Sequence, residues 1–60
     1  MSTTAEQLAC IEREIKMRER VYPRWIEAGK LTPVKAAHEI QTMRDVLELL
    51  RAKEAGERLL

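Results

Sequence analysis

The five residues Gly29-Lys30-Leu31-Thr32-Pro33 constrain this chain more than any others. Glycine is the common residue just past a helix C-terminus, because it enters the left-handed backbone region without a steric penalty. Thr32 followed by Pro33 is the opposite signal. It offers a capping side chain and then a residue whose missing N–H costs nothing in the first helical turn. A stop and a start this close together divide the chain into two helices, and a short linker favours an antiparallel hairpin.

Both halves carry helical periodicity. Thr3 and Glu6 have the spacing of a capping box, which places a helix start near residue 4. Leu8, Ile11, Ile15, Tyr22, Trp25 and Ile26 then fall on one side at about 100° per residue, with Arg18 in the same stripe. Glu12–Lys16 and Glu14–Arg18 add favourable pairs one turn apart. In the second half Val34, Ala37, Ile40, Met43, Leu47 and Leu50 recur in steps of three and four, and Val46 and Leu49 widen the apolar surface beyond one face. The expected helices span residues 4–28 and 33–55, within a single domain over 1–60. Gly56 is expected to end the second and leave a frayed tail at 57–60.

Pro23 is the irregularity. It removes a backbone donor, crowds the carbonyl of Glu19 and biases Tyr22 toward extended geometry. Two outcomes follow: a kinked helix, or one that ends near Val21 and restarts with Pro23 in its first turn.

Sixty residues support a marginal core at best. A single cysteine, Cys10, excludes an intrachain disulfide, and one histidine, His38, makes a zinc site within one chain improbable. Self-association is the remaining source of stability. The apolar excess of the second helix points the same way, toward an all-α homo-oligomer built as a helical bundle from a two-helix hairpin. No apolar run is long enough to span a bilayer, and no leader pattern is evident, so a cytoplasmic protein with Cys10 reduced and no membrane partner is expected.

The usual signatures of catalysis are missing. There is no phosphate-loop glycine pattern, no metal motif and no nucleophile beside a base, so the chain reads as a non-enzyme without cofactor or metal. Cys10 reads as a small packing residue. His38 reads as a surface helix residue or as a polar contact to a ligand.

The basic residues are more informative. The net charge of +1 argues against binding bulk nucleic acid, leaving a small nucleic-acid-binding regulator as the weakest alternative. Yet Arg13, Lys16, Arg20 and Arg24 line one side of the first helix, and the last three repel one another at one-turn spacing. No acid stands four residues from Arg20. Together with Tyr22 and Trp25 the cluster has the chemistry to hold phosphate on arginine forks and stack an aromatic ring on a base. The alternative is that both aromatics fill the bundle core and the arginines form a solvated face.

Residues 20–40, RVYPRWIEAGKLTPVKAAHEI, resemble a stretch of small helical proteins encoded by proteobacterial phages and prophages. The shared features are Tyr22-Pro23-x-Trp25, Gly29-Lys30, Lys35-Ala36 and Glu39-Ile40. The resemblance implies a viral accessory protein in the host cytoplasm. Its role would be to sequester a nucleotide-derived immune signal as an anti-defence sponge, or alternatively to inhibit a host protein. Arg20, Tyr22, Arg24, Trp25, Lys16, Lys30 and His38 are the candidate ligand-binding residues.

Overall fold

The computed structural model describes residues 1–59, and Leu60 of the expected tail lies outside them. The chain forms two helices, α1 (Thr4–Glu27) and α2 (Pro33–Arg58), packed against each other as a hairpin. There is no strand among the described residues.

The terminators work as their residue types require. The Thr3 side chain accepts from the Glu6 N–H, and the Glu6 carboxylate accepts from the Thr3 N–H, both at 3.1 Å. Thr32 Oγ1 accepts from the Lys35 N–H at 3.2 Å, with Pro33 opening α2. At the end of α1 the Lys30 N–H reaches the Trp25 carbonyl and the Gly29 N–H reaches that of Ile26. These two bonds make a Schellman cap, which needs Gly29 at φ 73°. Helix α1 therefore stops one residue before the expected boundary.

Two expectations change. Cys10, expected to be a small buried packing residue, is exposed on α1. Gly56 does not end α2, which continues to Arg58. Its backbone stays in the negative-φ range, and the helix beyond it is held by an Arg58–Glu54 bridge at 3.2 Å and by Glu57, which accepts from Thr4 Oγ1 at 2.9 Å. Of the two outcomes open at Pro23, the break does not occur, since α1 runs through it as one helix. Pro23 is exposed, at the border of a groove lined also by Glu19, Tyr22, Ala36 and Ala37.

Packing follows a heptad pattern. Thr4, Leu8, Ile11, Ile15, Arg18 and Tyr22 on α1 alternate steps of four and three, as do Ala36, Ile40, Met43, Leu47, Leu50, Glu54 and Glu57 on α2; all but Glu57 are buried or half-buried. That spacing is the seam of an antiparallel coiled coil. The seam starts at Ala36 rather than at Val34 and Ala37, which are exposed. One residue decides the register: Ala36 is small enough to let α2 approach the large Tyr22 ring near the turn. Across one edge Arg51 bridges Glu12 at 3.5 Å and Arg44 bridges Glu19 at 3.0 Å. The two bridges are seven residues apart on each helix, as antiparallel heptads demand.

The result is a rod of 48 × 17 × 16 Å in which no large side chain is completely enclosed. The helices leave two broad faces, one spanned by the Glu–Arg bridges and one without them.

Candidate functional site

The seven arginines separate into two groups. Arg18, Arg44, Arg51 and Arg58 each pair with a carboxylate. Arg13, Arg20 and Arg24, all exposed on α1, form no ion pair among the described residues. Every paired arginine is on α2 or in the seam. The unpaired ones face away from it.

Arg18 occupies a seam position where an aliphatic residue would otherwise sit. Its guanidinium is half-buried and bonds both the Glu14 carboxylate and, at 3.3 Å, the Glu14 backbone carbonyl. The hydrogen bond to Glu14 raises its pKa further above the ordinary arginine value, so it is a permanent cation. It also neutralises Glu14, the acid on the unbridged face of the rod near the middle of α1.

The two aromatics part company. Tyr22 is 6% exposed, and its hydroxyl donates to the Glu39 carboxylate at 3.0 Å. Burial, reinforced by Glu39, pushes the phenol pKa upward. A ring enclosed by the seam and tied at its hydroxyl has no face to offer a base, so within one hairpin Tyr22 is a packing residue. Trp25 is 46% exposed, with its ring centroid 5.5 Å from that of Tyr22 at a tilt of 37°. Tyr22 thus supports Trp25 from beneath while the indole presents an open surface.

Of the candidate binding residues, Arg20 and Arg24 come together, with Lys16 one turn before Arg20. Arg20 and Arg24 are one turn apart, and Trp25 follows directly on the adjoining strip of α1. Lys16 also borders an open groove of about 660 Å³ on the bridged face, whose lining includes Glu19, Arg44, Leu47 and Arg51. Lys30 sits in the turn after the Gly29 cap. His38 is on the outer side of α2, beside Glu39, Thr42 and Met43. An anion held by Arg20 and Arg24 is therefore within reach of Lys16 but remote from His38 of the same chain.

Sequence reasoning did not single out Glu39, the partner of Tyr22, or Met17, a large exposed side chain beside the cluster. Met17 lies two positions beyond Ile15, about 200° round the helix and so on the outer side of α1, where seam periodicity does not mark it. Nothing local marks Glu39, since its pairing depends on the register between helices.

Among the described residues no group of histidine, cysteine, aspartate or glutamate is placed to hold a metal ion. No helix is long and apolar enough to cross a membrane. No protein-family model matches the chain, and comparison with curated proteins and solved structures returns no significant match.

Proposed function

We propose that this chain is a non-catalytic, phage-type accessory protein that self-associates and sequesters an anionic, nucleotide-like ligand in the host cytoplasm. The observation that carries the reading is the unpaired state of Arg20 and Arg24 beside the half-exposed Trp25. A chain that pairs four of its seven arginines with carboxylates leaves these two bare, as it does Arg13, and sets them at mutually repulsive spacing. Two arginine forks supply bidentate phosphate recognition, and the indole supplies a stacking surface for a base. Tyr22 takes no direct part and acts by propping Trp25. A rod this thin cannot surround a small molecule alone, so a site between copies supplies the enclosure that tight binding requires.

Calorimetric titration with a panel of cyclic dinucleotides and ADP-ribose-type nucleotides tests the reading. At least one is expected to bind. Arg20→Ala and Arg24→Ala are each expected to weaken binding about tenfold or more, since a charge-assisted hydrogen bond is worth about 1.5–3 kcal/mol. Their helix content should not change. Absence of heat with every nucleotide well above micromolar concentration overturns the proposal.

The exposure of Trp25 favours a second reading, inhibition of a host protein, because tryptophan and arginine dominate binding hot spots. Capture of a defined host protein by the wild type, and not by a folded Trp25→Ala variant, would support it.

A further inference from the structure

The two broad faces of the rod differ in a way that identifies what covers one of them. The bridged face carries Glu12, Lys16, Glu19, Arg44, Glu48 and Arg51 along its middle, a surface that suits water. The heptad register places Met17 and Val21 of α1, with Val46 and Leu49 of α2, on the opposite face. Leu49 is 72% exposed, Val46 40% and Met17 39%. The acid among them, Glu14, is already bound by Arg18. Charge returns at the margins of the strip, with Arg13 and Arg20 one turn from Met17 and with Asp45 and Glu48 beside Leu49.

We infer that this face is the docking surface for a second copy of the same chain, closing a four-helix bundle whose second core is Met17, Val21, Val46 and Leu49. The inference rests on the self-association included in the function proposed above and specifies its surface. Surface area supports a copy of this chain as the occupant. The rod exposes 4941 Å², whereas a folded 7.0 kDa monomer is expected to expose roughly 4,000 Å². The excess is close to the ~800 Å² that each partner contributes to a stable protein interface. Both helices supply apolar groups at the same height of the rod, so a two-fold axis brings the apolar strip of one copy against that of the other.

The geometry also relates this face to the candidate site. Arg24 lies one helical repeat beyond Met17 on the same strip of α1, and Trp25 is next to it. Docking therefore brings the second copy to the edge of the arginine cluster and supplies the wall that a single rod lacks.

Sedimentation equilibrium of the full chain, without nucleotide, tests the inference, and failure of the ligand reading does not affect this measurement. The wild type is expected at twice the 7.0 kDa chain mass or a multiple of it. Met17→Lys combined with Val46→Lys is expected to give the mass of one chain. Gln41→Lys, away from the apolar strip, is expected to leave the wild-type mass unchanged. A wild type that remains a single chain up to millimolar concentration overturns the inference, and so does an oligomer indifferent to Met17→Lys and Val46→Lys. If that double variant loses its helices, an environment-sensitive label at Leu49→Cys in a Cys10→Ser background replaces it. The label should leave water as protein concentration rises, while one at Gln41→Cys should not. A label at Leu49→Cys that stays wet while the protein associates overturns the inference.

Discussion

Tyr22 shows how much one side chain settles. It is the only tyrosine, buried in the seam and bonded to Glu39 across it. Its phenol is held above the ordinary value of 10.0, chiefly by burial. A folded-state pKa above the unfolded one means that the folded state favours the neutral phenol. Its contribution to stability is therefore fully present below about pH 10 and lost as pH rises through the folded-state value. Spectrophotometric titration of this lone phenol is expected to show ionisation later than for free tyrosine, coinciding with loss of helix signal. Tyr22→Phe is expected to remove the alkaline transition and to cost about 0.5–1.5 kcal/mol at neutral pH. Ionisation at the free-tyrosine value in the folded protein would contradict the buried placement.

At the level of the helices, the two glycines have opposite roles. Gly29 needs its φ of 73°, which an L-side chain adopts only with strain, whereas Gly56 lies within α2 with open space where a Cβ would go. Gly29→Ala is expected to destabilise by about 1–2 kcal/mol, and Gly56→Ala to stabilise by about 0.5–1 kcal/mol. Urea denaturation of the two variants checks both signs, and equal effects would mean that the termini of α1 and α2 are misplaced. Pro23 belongs to the same scale. Helix α1 passes through it with the ring exposed, and the lost backbone donor does not break the helix.

The whole rod has a seam one layer deep. Leu8, Ile15, Tyr22 and Ala36 are the buried apolar residues, too few for a chain of this length to be robust alone. Burial of a second layer by self-association makes stability depend on concentration. The melting temperature of the wild type is expected to rise with protein concentration, in step with about 1.4 kcal/mol per tenfold increase for a dimer. That of the Met17→Lys, Val46→Lys variant is expected to be lower and flat. A concentration-independent wild-type melt would place all the stability within one hairpin.

Much of the fold was legible in the residues themselves. Capping, the glycine stop and the proline start are local chemistry, set by a few consecutive side chains, so Thr3, Glu6, Gly29, Thr32 and Pro33 could be read without a partner. The basic cluster was equally legible, because arginines one turn apart are neighbours on any helix. The division of labour between Tyr22 and Trp25 was not: both satisfy the same stripe, and three residues of helix turn separate them by only about 60°. Which one is enclosed depends on where α2 crosses, and that is set by the small Ala36 and by bridges between residues far apart in the chain. Local signals determine where helices begin and end. Arg18 and Arg58 pair with acids one turn away on their own helices, as spacing alone foretells. Register between helices is a property of two surfaces meeting, and only their meeting brings Arg44 to Glu19 and Arg51 to Glu12.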